Sequence, residues 1–545
     1  MSNHLLDIYP LEIQDAACPG YFVMSTAPIN VEDRIEDVTR SEPDRCIQDI
    51  VKHLKEHANN AEVLILIHGY NTDRKGAQTW YTTACEYLRD KYRDNIPEGL
   101  VVIGYRWSSE KFDQDESGSL VNKLINTLNA IPLLMGACFA FSILISLLSL
   151  LTASFTFLLF ITIPIILFIA TLIVLRLTVY FRDTWRANHY GVPDLVELVR
   201  QLDRVALETT NQSSPEAGAA YWKDKRIRLS FIGHSMGAFV VTNTVRILSD
   251  VFDQGSIGSL DVDRQNKCPC PDIGNVFRLS KLVLVAPDIP VDTIISGRGN
   301  TLRSSLRRFE EAYLFANKSD VVLKLASTIA NYFSFPAKTR EGGYRLGNVF
   351  LSGQNLANKL GRRYRTTFGI INLESVRSVA PDHSDYLDYL FINRNIPLSR
   401  RQDSVTIGGR SIAELFTYFD CTNYTEIHKK TGKEVGIVSY AWEKSIKQFG
   451  DYFTRFFSTK NLDTHGGYIY NEQADLSKRL IYGLACLGFK GCLNVLHPEQ
   501  HSPTATEAQV ETLSQMCRER GIQVLLASER YQIDVLGGEQ NRDGY

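Results

Sequence analysis

The chain has 545 residues, 22% of them charged, and a formal net charge of −2. It is long enough for a large core with one or two additions, and its near-neutral balance gives no reason to expect nucleic acid or a strongly charged substrate. Ten cysteines are spread thinly, and the opening MSNHLLDIYPLEIQD lacks a basic n-region and an apolar h-region, so reduced thiols in a cytosolic compartment are expected. Cys268-Pro-Cys270 has no second Cys/His pair at zinc spacing; a loop is the reading, and neither metal nor cofactor is expected.

A strand is predicted near Tyr21 to Ser25, and Asp44 to His57 places Ile47, Ile50, Val51 and Leu54 on one face of a helix. Glu62 to Ile67 (EVLILI) is a short continuous apolar run of the kind buried on both faces of a parallel sheet. It ends in His68-Gly69-Tyr70-Asn71. A glycine there lets the backbone approach a ligand closely, which makes the Tyr70 N–H a candidate oxyanion donor. His68 reads as a structural turn residue. A helix over Ala77 to Lys91 and a second buried strand, Leu100 to Trp107, continue the alternation that defines an α/β protein.

Between Leu124 and Leu175 no residue is charged. That length suits two membrane spans of about 20 to 25 residues, with a turn near Thr152-Ala153-Ser154. Lys111 and Lys123 precede the run and Arg176, Arg182 and Arg186 follow it, so both ends are expected in the cytoplasm. An even number of crossings also returns the chain to the side it left, as a single sheet requires. A buried helical hairpin or a hydrophobic lid is the alternative.

Val192 to Thr210 reads as a helix, and Ile227 to Ile232 as a strand that leads into Gly233-His234-Ser235-Met236-Gly237, after which an apolar helical pattern begins at once. A serine on a strained strand-to-helix turn needs glycines two residues to either side, because a Cβ there collides with the neighbouring strand and helix. Ser235 is the candidate nucleophile, with the Met236 N–H at the helix N-terminus as the other oxyanion donor. Further strands are expected at Lys281 to Ala286, ending in Pro287-Asp288; at Glu311 to Ala316, followed by Asn317-Lys318-Ser319-Asp320; at Thr366 to Leu373; and at Leu415 to Cys421. A helix carrying Leu476, Leu480, Ile481 and Leu484, another over Glu507 to Arg520, and a strand over Gln523 to Ala527 complete the chain.

A nucleophilic serine needs a base and a carboxylate that orients it, here expected in the order acid then histidine. Asp320 suits that order better than Asp288, which is the alternative acid and otherwise a turn or supporting residue. His383 follows its strand by a short loop. His465 stands beside two glycines just before a closing helix, and that position favours it, with His383 as the alternative base.

Taken in order, His68-Gly69-Tyr70-Asn71, the Trp107-Ser108 strand end, His234-Ser235-Met236-Gly237, Ala286-Pro287-Asp288, the Tyr313 to Asp320 segment and Arg345-Leu346-Gly347 resemble a family of poorly characterised bacterial α/β hydrolases. The resemblance covers about Val63 to Asp382 without the apolar run. It implies an α/β-hydrolase fold, a mostly parallel central sheet with helices on both faces, and a Ser-Asp-His site mapping onto Ser235, Asp320 and a histidine. Two departures are the inserted apolar hairpin and the long continuation after His383.

The expected division is 1–123 and 182–487 as two parts of one hydrolase domain, 124–181 as a two-span transmembrane hairpin, and 488–545 as a C-terminal extension. The expected function is a membrane-anchored serine hydrolase at the cytoplasmic face of a bilayer, cleaving a carboxylic ester or thioester of a small-molecule, lipid or acylated substrate. Arg298, Arg303, Arg307, Arg308, Arg362, Arg363 and Arg365 are either headgroup contacts or solvated helix faces. The competing expectation is a catalytically silent fold kept as a membrane scaffold or binding module.

Overall fold

Glu62–Ile67 (β3) is buried at every position, as a strand with layers on both sides must be. The computed structural model describes residues 4–27, 42–110, 177–210, 215–250, 252–253, 269–295, 302–324, 344–351, 369–370, 390–393, 396–397, 415–439, 463–496 and 506–526. Among them β3 lies between Leu100–Arg106 (β4) and Ile227–His234 (β5), parallel to both. Leu6–Pro10 (β1) and Gly20–Ser25 (β2) form an antiparallel pair at one edge, with β2 parallel to β4. On the other side follow Phe277–Val285 (β7), Glu311–Ala316 (β8) and Phe416–Asp420 (β13), all parallel. Gln523–Leu526 (β16) then runs antiparallel to β13, and Gly369–Ile370 (β10) parallel to β16. The order is β1-β2-β4-β3-β5-β7-β8-β13-β16-β10, with the short Asp272–Ile273 (β6) on β7. Two small sheets lie apart: Phe350–Leu351 (β9) with Leu390–Asn393 (β11) and Ile396–Pro397 (β12), and Thr425–Ile427 (β14) with Glu434–Gly436 (β15).

Helices cover both faces. On one side pack Pro43–Glu56 (α1), Val192–Glu208 (α3) and Met236–Leu248 (α5), whose Ile47, Leu195 and Val240 join a cluster with Ile65, Ile103 and Phe231. The shorter Pro215–Lys223 (α4) lies beside α3. On the opposite face Arg74–Tyr92 (α2), Asp475–Leu496 (α6) and Thr506–Glu519 (α7) bring Trp80, Leu480 and Leu513 against Leu64, Val102 and Val283. The sheet is mixed but mostly parallel, with helices on both faces: an α/β fold. The expected strand at Thr366 to Leu373 is described only at Gly369–Ile370.

Three local departures from the sequence reading have physical reasons. First, β7 starts at Phe277, four residues before the apolar run, because its polar positions are matched: Arg278 Nε donates to Glu310 at 2.7 Å, and Lys281 Nζ lies 2.6 Å from the buried Glu62. Second, the chain ahead of Val192 is already helical over residues 177–186 and passes through a π turn, Ala187–Gly191, into α3. That turn ends two residues before Pro193, where the hydrogen-bond ladder lapses because proline lacks an N–H. Third, the stretch set apart from residue 488 contributes to the main sheet through β16, and the two helical segments of α6 meet at a kink at Gly488.

The charge-free run from Leu124 to Leu175 lies outside the described residues. Among those described, one helix is long and apolar enough to cross a membrane, α6, and most of it is buried. Trp80 Nε1 donates to Tyr482 Oη at 3.1 Å and Tyr92 Oη to the Arg479 carbonyl at 2.6 Å, so α6 is a core helix of the second layer. Gly488, at φ 72°, breaks it where the next N–H, that of Phe489, reaches Glu311 at 2.9 Å.

Candidate active site

Between β5 and α5, Ser235 stands at φ 56°, ψ −123°, a conformation that L side chains rarely adopt. The turn closes tightly because both glycines are needed: a Cβ at Gly237 would lie 2.3 Å from the Ile67 carbonyl oxygen and 2.6 Å from that of His68, and one at Gly233 2.7 Å from Ala238 Cα. The backbone is fixed on both sides. Ser235 N–H donates to the Val285 carbonyl at 2.9 Å, and the Ser235 carbonyl accepts from Asp288 N–H at 3.0 Å. Its Oγ is buried and has no hydrogen-bond partner among the described residues.

Asp320 lies in the turn after β8. Its N–H donates to the Asn317 carbonyl at 3.0 Å, its Oδ1 accepts from Leu323 N–H at 3.1 Å, and its Oδ2 is 2.7 Å from His465 Nδ1. Asn317 ties the two loops together by donating from Nδ2 to the Val438 and Thr464 carbonyls, each at 2.9 Å. Asn348 adds donations to the Asn317 and Asp320 carbonyls at 3.1 and 3.2 Å. Asp463 Oδ1 accepts from the N–H groups of His465 and Gly466, at 3.0 and 2.8 Å, and so shapes the histidine's turn. With Nδ1 on the carboxylate, His465 Nε2 is left buried and without a partner among the described residues. The ring lies 5.0 Å from that of His234, the residue before the serine.

The site's electrostatics follow from burial. Burial alone would lower the His465 pKa, but the Asp320 carboxylate, backed by Asp463 and Asp288, outweighs it and raises the value above the ordinary 6.5. Burial pushes the Asp320 carboxyl up, and the His465 contact works against that. His234 is driven down to about 3 by burial and by the neighbouring His465, so it stays neutral, with Nε2 3.3 Å from the His465 carbonyl oxygen. His68 is likewise lowered to about 3, chiefly by burial. Its ring stacks on Trp107 at 5.3 Å and its Nδ1 lies 2.7 Å from the Gly69 carbonyl, a structural placement in the turn.

Asp288 and Asp320 have different surroundings. Asp288 Oδ1 is 3.1 Å from Arg345 Nε, both side chains being buried, and Arg345 Nη2 donates to Tyr180 Oη at 3.2 Å. Arg345-Leu346-Gly347 staples this loop through Leu346 N–H to Ile289 and Gly347 N–H to Pro287, at 2.9 and 3.1 Å. His383, the alternative base, lies outside the described residues. The Gly69 backbone closes against the serine: a Cβ there would stand 2.8 Å from Ser235 Cβ and 3.3 Å from its Oγ. Tyr70 follows directly, and Met236 is the first residue of α5.

Arg308 does not face outward. It is buried, with Nη2 3.1 Å from Asp253 and a donation to the Asp250 carbonyl at 3.2 Å. Arg298, Arg362, Arg363 and Arg365 lie outside the described residues. Cys270 is exposed and unpaired in a disulfide, and no group of metal-ligating side chains occurs among the described residues. Asn317, Asn348, Asp463 and His234 were not singled out by sequence reasoning as site residues. Asp463, two residues ahead of His465, carries the signal of an Asx turn, whereas nothing in the local pattern marks the two asparagines.

These features define the class: an α/β protein with a strained serine turn at the end of β5 and, in the turn after β8, an aspartate paired with a histidine that stands just ahead of a helix. Residues 218–373 match the model of a family described as alpha/beta hydrolase of unknown function (DUF900). The matched span holds Ser235, Asp288 and Asp320 and stops short of both candidate histidines. No curated protein and no solved structure is significantly similar to the chain. The family match supports hydrolase activity.

Proposed function

We propose that the chain is a serine hydrolase acting on a carboxylic ester or thioester. The observation that carries the reading is the 2.7 Å contact between Asp320 Oδ2 and His465 Nδ1, beside a Ser235 Oγ and a His465 Nε2 that are both buried and both without partners among the described residues. In this mechanism His465 Nε2 takes the Ser235 proton as Oγ attacks the acyl carbon. Asp320 holds the imidazole with its proton on Nδ1 and stabilises the imidazolium that forms. The carbonyl π electrons move onto oxygen, and the N–H groups of Tyr70 and Met236 receive the negative charge. Collapse of the intermediate expels the alcohol or thiol, protonated by His465. Water then repeats the sequence on the acyl-enzyme.

The apolar run from Leu124 to Leu175 is proposed to anchor this domain to the cytoplasmic face of a bilayer as a two-span hairpin, near lipid or acylated substrates. Supporting it, the chain leaves and re-enters the domain at adjoining points. Arg186 Nη1 is 3.1 Å from Glu110 Oε2, and Arg182 Nη2 donates to the Glu110 carbonyl at 2.8 Å.

The test is labelling of the detergent-solubilised protein by a fluorophosphonate, comparing wild type with Ser235→Ala, His465→Ala and His383→Ala. Labelling should vanish in the first two and persist in the third. An unlabelled but folded wild type would point instead to a scaffold. Replacing Leu124 to Leu175 by a short polar linker should yield a soluble protein that still takes the label; aggregation of that variant would count against a separable anchor.

A further inference from the structure

The loop after β3 is held from outside the sheet. Asn71 stands at φ 55°, in the left-handed region that a residue other than glycine enters only when its surroundings fix it, and its N–H donates to Asp183 Oδ2 at 2.9 Å. That same oxygen accepts from Ser109 Oγ at 2.8 Å, and Ser109 Oγ in turn accepts from Thr72 N–H at 3.1 Å. One carboxylate therefore holds the two backbone N–H groups that follow Tyr70, the first directly and the second through a hydroxyl. Asp183 is fully buried, and its other oxygen is 2.9 Å from Arg182 Nη2. One turn earlier on the same helical stretch, the Tyr180 ring packs edge-on against that of Tyr70, 5.9 Å between centroids.

We infer that Asp183 is a positioning residue for the Tyr70 oxyanion donor, an inference that rests on the serine-hydrolase reading. The Tyr70 N–H belongs to the Gly69–Tyr70 peptide plane. That plane can swing only if the backbone on one side of it moves. Gly69 is pressed against Ser235 on one side, and Asn71 is tied to Asp183 on the other. Without the second tie the strained Asn71 relaxes and the donor turns away from the place where the oxyanion forms. A burial this complete costs a carboxylate its hydration unless every oxygen is matched, and three donors from Asn71, Ser109 and Arg182 supply that match.

The experiment uses the full chain in detergent with a p-nitrophenyl ester as substrate and a trifluoromethyl ketone as inhibitor. Ser235 Oγ adds to the ketone carbon, its proton passes to His465, and the carbonyl electron pair becomes an oxyanion in the same place as that of the reaction. Asp183→Ala should lower kcat about 10- to 100-fold and weaken the inhibitor by the same factor with KM unchanged, in the folded protein that remains after the stability lost by leaving its three donors unpaired. Ser109→Ala should act in the same direction by less, and Asp183→Asn, which keeps an acceptor oxygen, should recover part of the loss. Should Asp183→Ala not fold, Ser109→Ala and Asp183→Asn decide the matter by the same paired loss. Unchanged kcat and inhibitor affinity in folded variants, or a kcat loss that follows the unfolding midpoint with inhibitor affinity intact, would overturn the assignment. A wild type that neither hydrolyses the ester nor binds the ketone would remove the hydrolase reading, and this one with it.

Discussion

His465 Nδ1 and Asp320 Oδ2 meet at 2.7 Å although 145 residues separate them in the chain. The contact fixes the imidazole tautomer, and it predicts that Asp320→Asn lowers kcat by about three to four orders of magnitude while the fold survives, since the amide stabilises the wrong tautomer and no imidazolium. Asp288→Asn should behave differently. It removes the carboxylate beside the buried Arg345 guanidinium, so its main effect should be on stability, about 3–5 kcal/mol in denaturant unfolding. Equal kinetic effects of the two substitutions would contradict the division of roles.

The pH dependence has a definite sign. Hydrolysis needs His465 neutral, so kcat/KM should rise with pH along a limb set by its pKa, which the Asp320, Asp463 and Asp288 carboxylates hold above 6.5. Asp463→Asn keeps an acceptor for the His465 and Gly466 N–H groups and removes one of those charges, so the limb should move toward acid. His234, near 3, should leave no mark on the profile above pH 5. A limb below 6.5, or one indifferent to Asp463→Asn, would rule out this assignment.

Backbone strain at the serine turn gives a stability prediction. Ser235 holds φ 56°, ψ −123°, and glycine adopts that region without penalty. Ser235→Gly should therefore abolish turnover and raise the unfolding free energy by about 1–2 kcal/mol, net of the extra chain entropy that glycine loses. A destabilised Ser235→Gly protein would show that the turn is not strained.

Gly237 offers the opposite case. A Cβ there meets two backbone carbonyl oxygens, of Ile67 and His68, at 2.3 and 2.6 Å, and neither can move without shifting β3. Gly237→Ala should cost about 3 kcal/mol or more, measured by denaturant unfolding, and should reduce fluorophosphonate labelling even in the folded fraction. Wild-type stability would mean that α5 and β3 do not pack as closely as described.

The elements read most directly from the sequence are those specified by their own residues. EVLILI and EAYLFA form strands at Glu62–Ile67 and Glu311–Ala316 because continuous apolar runs between turn residues have one way to be buried in an α/β sheet. The turn at Ser235 is local in the same sense, since two glycines at fixed spacing suffice to allow it. The β1 edge strand was not legible. Leu6–Pro10 alternates over only five residues and owes its conformation to pairing with β2.

What only the tertiary structure decided are relations between distant segments. It brought His465 to Asp320 through Asn317 and Asp463, gave Asp288 to Arg345, and seated Gln523–Leu526 between β13 and β10. It also set Asp183 against Asn71 across 112 residues. Periodicity reports the burial of a residue against its immediate environment, whereas the partner of a buried polar atom is chosen by which loops the sheet order brings to one edge. That order depends on all the strands at once, and so no local stretch of the chain contains it.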